Sequence, residues 1–160
     1  MTREQFIDMV RSEQKGLRRF LLTLCGGDRM TADDIAQESL MKAYLALSKY
    51  DERQKARLWL TKIAYNTFLN HHAKTVRHRF EDIDATAMIS SQYSSDESFR
   101  YQELLQAMAQ LPDSERTTLI LHYFEGYKVE EIAHITNCTD AAVKKRLQRG
   151  REELKRRIKL

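Results

Sequence analysis

Cysteine, which can cross-link a chain, and proline and glycine, which interrupt helices, are scarce in this 160-residue sequence. It has two cysteines, one proline and five glycines. Two cysteines are too few for the disulfide framework that holds many small secreted proteins together. No apolar run has the length of a membrane span, and the first residues lack the apolar segment of a signal peptide. We therefore expect a soluble protein of a reducing compartment such as the cytoplasm.

The alternation of apolar and polar residues that marks half-buried strands is also missing, whereas apolar residues recur at intervals of three and four. This pattern predicts an all-α fold. A first helix is predicted over residues 3–24, and a second is predicted to begin at a Thr31 cap. Asp33 and Asp34 would then lie in its first turn, where the helix dipole favours acids. A third helix is predicted to begin near Arg57.

Charge is segregated along the chain, although the formal net charge is only +4. Residues 49–80 hold eight Lys or Arg against two acids, and residues 144–160 hold nine against two. Residues 81–103 hold six acids against one arginine. A single charged run is often only a solvated face, but two basic blocks around an acidic one favour an anionic partner.

Residues 81–98 are acidic, contain five serines and show no sustained periodicity. Such a composition is typical of a flexible linker, with a surface loop inside one domain as the alternative. The sequence therefore predicts two small helical domains, residues 1–80 and 101–160, joined by a linker over residues 81–100.

A short helix, a sharp turn and a basic helix are predicted near the C-terminus. The short helix covers residues 129–135. Asn137 follows at the turn, because Asn tolerates the left-handed conformation better than other non-glycine residues. Thr139 is well placed to cap the next helix. This order is typical of a helix-turn-helix, whose second helix reads the major groove of DNA.

The last helix has two different faces when its residues are placed about 100° apart. Its narrow apolar face is formed by Val143, Leu147, Gly150 and Leu154. Its opposite face carries Ala141, Lys145, Gln148 and Arg149, with Lys144 beside it. Gln can bind adenine, Lys can bind guanine or phosphate, and Ala allows close approach to a thymine methyl. We predict that this face binds DNA.

Two long stretches resemble the bacterial sigma factors of the extracytoplasmic-function (ECF) class, in the sigma-70 family. The stretch similar to region 2 of that family is ADDIAQESLMKAYLALSKYDERQKARLWLTKIAYNTFLNHHAK, at residues 32–74. The stretch similar to region 4 is LPDSERTTLILHYFEGYKVEEIAHITNCTDAAVKKRLQRGREELK, at residues 111–155. The region 4 motif alone also occurs in many DNA-binding regulators, whereas the combination is specific.

The resemblance implies a docking surface for RNA polymerase. In the family, the corresponding helix of region 2 binds the largest polymerase subunit. The implied docking residues here are Asp33, Asp34, Gln37, Glu38 and Met41. The alternative interpretation of Asp33 and Asp34 is an acidic first turn that only stabilises its own helix.

The resemblance also implies two DNA sites. Residues 50–56 match the family's specificity loop, which captures a base flipped out of the opened -10 promoter element. The residues implied in -10 binding are Tyr50, Arg53, Lys55, Asn66, Asn70, Lys74 and Arg77. For Tyr50, packing at a helix end is the alternative to stacking on a base. The basic C-terminal helix is implied to read the -35 element.

Other functions have weaker support. No catalytic motif or phosphate-binding loop is present, so we expect neither enzyme activity nor a cofactor. His134 and Cys138 have helical spacing, but a turn separates them, which disfavours a zinc site. A stand-alone regulator that binds duplex DNA is the main alternative, and an adaptor that binds polymerase without DNA is a third. The partners that the resemblance implies are core RNA polymerase, promoter DNA and an anti-sigma factor.

Overall fold

Every element in the described part of the chain is a helix, which confirms the all-α prediction. The computed structural model describes residues 1–74 and 95–158, without the side chains of residues 73, 74 and 95–101. Its α-helices are α1 (Arg3–Leu24), α2 (Arg29–Leu45), α3 (Ala56–Lys74), α4 (Ser95–Ala109), α5 (Asp113–Leu119), α6 (Val129–Thr136) and α7 (Asp140–Ile158). A 3₁₀ turn, Leu47–Lys49, follows α2, and a π-helical turn, Ile120–Phe124, follows α5. No helix in these two ranges has the length and apolar character that a membrane crossing needs.

The first three helices form the N-terminal domain. α1 begins at a reciprocal cap, in which the Thr2 hydroxyl accepts from Gln5 N at 3.2 Å and Gln5 Oε1 accepts from Thr2 N at 2.8 Å. The apolar face of α1 packs on α2 and α3, and its Phe20, Leu21 and Leu24 are almost fully buried. Each such side chain contributes about 1.5–3 kcal/mol when it is buried. This face therefore holds the three helices together.

The start of α2 differs from the prediction. Gly26 and Gly27 have positive φ and turn the chain, and Asp28 then caps the helix. The Asp28 carboxylate accepts from Thr31 N at 3.2 Å and from the Thr31 hydroxyl at 2.7 Å. The prediction of a Thr31 cap is therefore wrong, because Asp28 reaches the free backbone donors of the helix first.

Because α2 begins earlier than predicted, two predicted docking residues lie at different positions within the helix. α2 has no acid in its first turn, so Asp33 and Asp34 lie further along the helix than predicted. The helix dipole acts mainly within the first turn. Stabilisation of their own helix therefore does not account for these two exposed carboxylates.

Helices α4 to α7 form the C-terminal domain, and the predicted helix-turn-helix is confirmed. Its most buried side chains are Leu119, Ile120, Leu121, Ile132, Ile135 and Val143. Asn137 ends α6 in the left-handed conformation, with φ 53° and ψ 53°. The Thr139 hydroxyl accepts from Ala142 N at 3.1 Å and so caps α7. The predicted turn and the predicted cap thus set the angle between α6 and α7.

The end of the predicted linker is helical. α4 begins at Ser95, so residues 95–98 belong to a helix and not to a stretch without structure. Ser, Asp and Glu, the residue types at positions 95–97, are favoured at helix N-termini. Residues 81–94 lie outside the described residues, and their flexibility stays a prediction.

The two domains pack against each other. α3 contacts α6, and α1 contacts the π-helical turn. Tyr127 is buried between the domains, and its hydroxyl lies 2.8 Å from the Thr61 hydroxyl of α3. The linker prediction treats the domains as separate modules, whereas the structure gives them a shared interface.

Within the C-terminal domain, α5 and α7 approach closely at Gly150. A Cβ atom on Gly150 would lie 2.8 Å from Leu119 Cδ1 and 3.1 Å from Leu119 Cγ. Both residues are buried, so neither has open space into which it could shift. The missing side chain at position 150 therefore allows α7 to settle on α5.

We expect Gly150→Ala to lower stability, although alanine favours helices. At an open helix position this change adds about 0.5–1 kcal/mol to the free energy of unfolding. Overlap with Leu119 costs about 1–3 kcal/mol and outweighs that gain. Gly16→Ala is the matched control, because the atom nearest to its Cβ is Arg19 Nη2 at 4.0 Å.

Urea denaturation followed by circular dichroism measures both variants. The midpoint should fall for Gly150→Ala and rise or stay unchanged for Gly16→Ala. A higher midpoint for both variants would show that the contact between α5 and α7 is loose.

Candidate functional site

The predicted DNA-reading face of α7 is directed to solvent. The exposed residues of this face include Ala141, Lys144, Lys145, Gln148 and Arg149. Val143, Leu147 and Gly150 are buried on the other side of the same helix. Gln148 Nε2 donates to Glu152 Oε1 at 3.3 Å, within the helix. The predicted residues thus form one continuous outer strip.

Side chains hold the turn before α7. The Arg146 guanidinium donates to Cys138 Sγ at 3.3 Å, and the Thr136 hydroxyl lies 3.2 Å from the same sulfur. His134 instead pairs with Gln54 of the N-terminal domain at 2.9 Å. Cys138 therefore braces the turn between α6 and α7, whereas His134 belongs to a different contact.

α2 presents acidic, amide and apolar side chains on its outer surface. The exposed predicted docking residues are Asp33, Asp34, Gln37 and Met41. Asp33 Oδ1 accepts from Arg18 Nη1 at 3.1 Å. Met41 is 64% exposed, and Met30 and Leu45 on the same helix are 80% and 75% exposed. These three side chains leave large apolar groups exposed on the helix that carries the carboxylates. Met30 and Leu45 were not predicted as part of this surface, although their helical spacing from Met41 is visible in the sequence.

Glu38 differs from the other predicted docking residues because it is half-buried and bridges α2 to α3. Its Oε2 accepts from His71 Nε2 at 2.7 Å, and its Oε1 lies 3.2 Å from Lys42 Nζ. The hydrogen bond from His71 is the largest effect and lowers the pKa of Glu38; burial opposes it, and Lys42 lowers the pKa further. Glu38 therefore helps to hold α3 on α2.

The predicted specificity loop is folded back on itself. The Tyr50 ring packs edge-on against Trp59, with centroids 4.9 Å apart, and its hydroxyl donates to Gln54 O at 2.5 Å. Arg53 donates to both carboxylate oxygens of Asp51 at 3.1 Å, and its side chain is 91% exposed. The structure thus contains the packing predicted as the alternative for Tyr50, and stacking on a base stays a prediction.

The remaining predicted -10 residues lie along α3 and at the end of the loop. Asn66 and Asn70 are one turn apart on an exposed face of α3. Lys55 is exposed, and its Nζ lies 4.0 Å from Glu131 Oε2 of α6. The Lys74 side chain and Arg77 lie outside the described residues.

A row of contacts between the domains was not predicted. Arg57 Nη2 donates to Glu125 O at 3.0 Å and to Glu125 Oε2 at 3.2 Å. The Arg57 guanidinium also lies 4.8 Å from the centroid of the Tyr127 ring, whose hydroxyl meets Thr61. The α3 positions that meet the C-terminal domain recur at helical spacing, and they are Arg57, Thr61, Tyr65 and His72. This spacing was a signal of a second packed face on α3.

Two more polar pairs extend this interface. His72 Nε2 donates to Asp113 Oδ2 of α5 at 2.9 Å. Gln54 Nε2 donates to His134 Nε2 of α6 at 2.9 Å. Hydrogen bonds and ion pairs thus run along the interface between the domains, beside a buried apolar cluster that includes residues of both.

Glu125 is the most buried carboxylate of this interface, at 8% exposure. Burial raises the pKa of Glu125, while the charges of Arg19 and Arg57 oppose the shift. The charges of the two arginines therefore offset only part of the free-energy cost of burying the Glu125 carboxylate. This ion pair stabilises the interface less than its hydrogen bonds alone suggest.

Comparison with known proteins assigns a family to both domains. The family model Sigma-70 region 2 matches residues 3–78, and the model Sigma-70, region 4 matches residues 101–154. The ECF RNA polymerase sigma factor SigM of Bacillus subtilis (strain 168) is 33% identical over 141 residues, which cover 86% of this chain and 85% of that protein. The chain belongs to the ECF sigma factors of the sigma-70 family. The resemblance found in the sequence is thereby confirmed.

Other similar proteins agree with this family and fold. This sigma factor is 31% identical to the ECF RNA polymerase sigma factor EcfG of Rhodopseudomonas palustris (strain TIE-1), over 86% of this chain and 76% of that protein. Its fold is similar to the sigma factor RpoE in the co-crystal structure with the anti-sigma factor NepR from Bartonella quintana, with a TM-score of 0.80, 24% identity and 98% of each chain covered. It is also similar to CnrH in complex with the cytosolic domain of CnrY, with a TM-score of 0.73, 20% identity and 99% and 90% of the chains covered.

We expect Glu38→Gln to destabilise this sigma factor more at neutral pH than at acid pH. The pKa of Glu38 is lower in the folded state than its ordinary value of 4.5. Its charge therefore stabilises the fold above that value, and this stabilisation is lost as the pH falls through the lower, folded-state pKa. Urea midpoints of the wild type and the variant should differ at about pH 6 and converge towards about pH 3.

His71→Gln supplies the control, because it removes the same bond from α3. The double variant Glu38→Gln/His71→Gln should lose less stability than the sum of the two single losses. Additive losses, or a midpoint difference that does not change with pH, would contradict the bridge.

Proposed function

We propose that this sigma factor binds core RNA polymerase and directs promoter-specific transcription initiation. It acts in the cytoplasm and has no catalytic activity of its own. The observation that carries the proposal is the combination of an exposed DNA-reading face on α7 with a domain that matches region 2. A stand-alone regulator of duplex DNA has no need of a region 2 domain, so this alternative is not favoured.

α7 reads the -35 element in the major groove. Lys145 and Gln148 lie near the middle of the exposed strip, where side chains reach base edges. Lys144 and Arg149 lie at its flanks, where the phosphate backbone passes. Ala141, in the first turn, is small enough to let that end of the helix approach the bases. The solvent exposure of all five side chains supports this assignment.

α2 supplies the docking surface for polymerase. Asp34 and Gln37 are exposed beside Met41, and Asp33 is close to Arg18. Such a surface suits a partner with an apolar centre and basic groups around it. Glu38 contributes from the edge of this surface, where His71 already binds it.

The specificity loop and the exposed face of α3 bind the opened -10 element. Arg53 and Lys55 supply exposed cations for phosphates. Asn66 and Asn70 supply exposed amides for base edges. The other members of the proposed set, which rest on the family resemblance, are Tyr50, Lys74 and Arg77.

The proposed domain boundaries follow from these roles. Residues 1–80 bind polymerase and the -10 element, residues 81–100 connect the domains, and residues 101–160 bind the -35 element. Because α4 begins at Ser95, the last residues of this connection are helical and continue into the second domain. An anti-sigma factor is a further proposed partner, because RpoE, whose fold is similar, was solved with the anti-sigma factor NepR.

Transcription in vitro with core RNA polymerase tests the proposed function. Promoter-specific transcripts that require the added protein would support it. A stable complex with polymerase that yields no transcripts would favour an adaptor. Tight, sequence-specific binding to duplex DNA by the protein alone at physiological salt would favour a regulator.

We expect Gln148→Ala and Arg149→Ala to have different effects on promoter use. A lost base contact costs roughly 1–3 kcal/mol at one base pair and relaxes preference there. A lost phosphate contact weakens binding to all promoters about equally. It also reduces the slope of log affinity against log salt concentration by roughly one. Transcription from a library randomised over the -35 element should therefore show a changed preference for Gln148→Ala and a uniform loss for Arg149→Ala.

Lys145→Ala extends this experiment. An unchanged preferred sequence in both Lys145→Ala and Gln148→Ala would mean that α7 grips the DNA backbone and does not read bases.

We expect Asp34→Lys to weaken binding to core polymerase by on the order of tenfold, or about 1.4 kcal/mol, because it places a cation on a surface proposed to meet basic groups. Asp8→Lys on α1 is the matched control, since Asp8 is also exposed and the change in charge is the same. Pull-down titrations measure both affinities, and circular dichroism checks that helix content is unchanged. Equal affinities for the two variants would remove α2 from the docking surface.

A further inference from the structure

Tyr123 lies on the outside of the C-terminal domain, although helical spacing would turn it inwards. It stands four residues after the buried Leu119, so in a continuous α-helix the two side chains would share a face. The backbone instead forms the π-helical turn Ile120–Phe124, in which Glu125 N donates to Ile120 O at 3.1 Å. Single π-helical turns of this kind are frequent at functional sites. Here the turn leaves the Tyr123 side chain 56% exposed.

Two neighbours fix the Tyr123 ring. His122 meets it edge-on, with ring centroids 4.9 Å apart, and His122 Nδ1 donates to Tyr127 O at 3.0 Å. From α7, Arg151 Nε donates to the Tyr123 hydroxyl, and Arg151 Cζ lies 5.5 Å from the centroid of the ring. The ring thus connects the π-helical turn to α7.

This contact leaves most of the Arg151 guanidinium available. An arginine carries five N–H donors, and the bond to Tyr123 uses only the one on Nε. Among the described residues, neither Nη atom of Arg151 has a hydrogen-bond partner. The two Nη atoms form the fork that binds a phosphate through two parallel hydrogen bonds. Because the bond at Nε restrains the plane of this fork, less side-chain freedom is lost when a phosphate binds.

Arg151 belongs to a row of cations along one flank of α7. At about 100° per residue, Lys144, Arg151 and Lys155 fall within about 40° of one another. All three side chains are exposed, and no ion pair in the described part of the chain includes any of them. We call these three residues the cation row.

The opposite flank of α7 carries charges that are largely compensated. Arg156 and Arg157 both donate to the Glu153 carboxylate, and Arg157 also donates to Gln110 of α4. A cation that is already matched by a carboxylate attracts a phosphate less than an unmatched one. The positive potential around this helix is therefore strongest along the cation row.

The cation row lies where a DNA backbone passes if α7 occupies the major groove. An α-helix is about 10–12 Å across and the groove is about 12 Å wide, so the two flanks of the helix meet the two phosphate backbones. The row adjoins Gln148, which lies about 20–60° around the helix from its members. A base contact at Gln148 therefore brings the row next to the backbone on its side.

We propose that Tyr123 is a positioning residue, which holds the Arg151 guanidinium for a DNA phosphate, and that α7 grips the -35 duplex chiefly along the cation row. The proposal rests on the proposed function of α7. Tyr123 needs no contact with DNA, because its hydroxyl acts through the guanidinium that it orients. The row contributes affinity for any sequence, whereas Lys145 and Gln148 select among sequences.

A methylphosphonate scan of the -35 duplex tests the phosphate contact of Arg151. Methylphosphonate removes the charge of one phosphate at a time, and affinity is measured for the full-length protein bound to core RNA polymerase. At the contacted phosphate, the wild type should lose affinity on the order of tenfold. Arg151→Ala should bind unmodified DNA about that much more weakly and lose nothing further at this phosphate. If every sensitive phosphate stays equally sensitive in Arg151→Ala, the contact is absent.

Tyr123→Phe tests the positioning role, because it keeps the ring and removes only the hydroxyl that Arg151 meets. The affinity for promoter DNA should fall about threefold in the wild-type background and stay unchanged in an Arg151→Ala background. Arg151→Lys should keep most of the salt dependence, since it keeps the charge without the fork. An equal loss from Tyr123→Phe in both backgrounds would show that Tyr123 does not act through Arg151.

Arg156→Ala is the matched control for the opposite flank. It also removes one exposed arginine from α7, but one that Glu153 already compensates. The slope of log affinity against log salt concentration should fall by about 0.9 for Arg151→Ala and by clearly less for Arg156→Ala. Equal falls would overturn the preference for the cation row.

The same measurements separate this inference from the proposed function. A wild type that binds its promoter specifically with core polymerase, but has no phosphate coupled to Arg151, would overturn the inference alone. A wild type that shows no promoter-specific binding or transcription with core polymerase would overturn the proposed function.

Discussion

The packing of α3 on two sides is the constraint on which the other features of the molecule depend. Leu60 and Ala64 are buried against α1 and α2. Arg57 and Thr61 meet the C-terminal domain along a neighbouring face. Among the described side chains of α3, the face turned away from these contacts exposes Asn66 and Asn70. The proposed -10 surface is thus defined by what the two packed faces leave open.

These two packed faces differ in chemistry. The side that meets α1 and α2 buries apolar side chains, each of which contributes about 1.5–3 kcal/mol. The side that meets α6 carries polar pairs such as Arg57 with Glu125, in which one partner is half-exposed and the other is buried at a cost. These pairs stand beside a buried apolar cluster that includes residues of both domains. An ion pair with a buried partner adds little net stability, so the pairs fix the arrangement of the two domains more than they stabilise it.

Features that depend on local chemistry were predictable from the sequence. The left-handed turn at Asn137 and the cap at Thr139 each follow from the properties of one residue type, and the faces of α7 follow from helical periodicity. The Thr31 cap was wrong because two residue types that cap helices, Asp28 and Thr31, stand within one turn of each other. Sequence spacing does not tell which of them reaches the free backbone donors.

The contact between the domains was not predictable by the same means. Arg57 and Glu125 are far apart in the sequence, and each has the character of an ordinary surface residue. The helical spacing of the α3 residues indicates a second packed face, but it does not tell which part of the chain packs there. Likewise, Glu38 matched the docking pattern, but its bond to His71 depends on how α2 and α3 pack.

The close approach at Gly150 has a consequence for how such a protein can diversify. Gly150, Val143 and Leu147 hold α7 on its domain, whereas Lys145 and Gln148 contribute nothing to that packing. The buried face and the exposed face of α7 share no residue. The effects of substitutions on one face are therefore expected to be nearly independent of the effects of substitutions on the other. New base preferences can therefore arise on α7 one residue at a time, without a compensating change in the core.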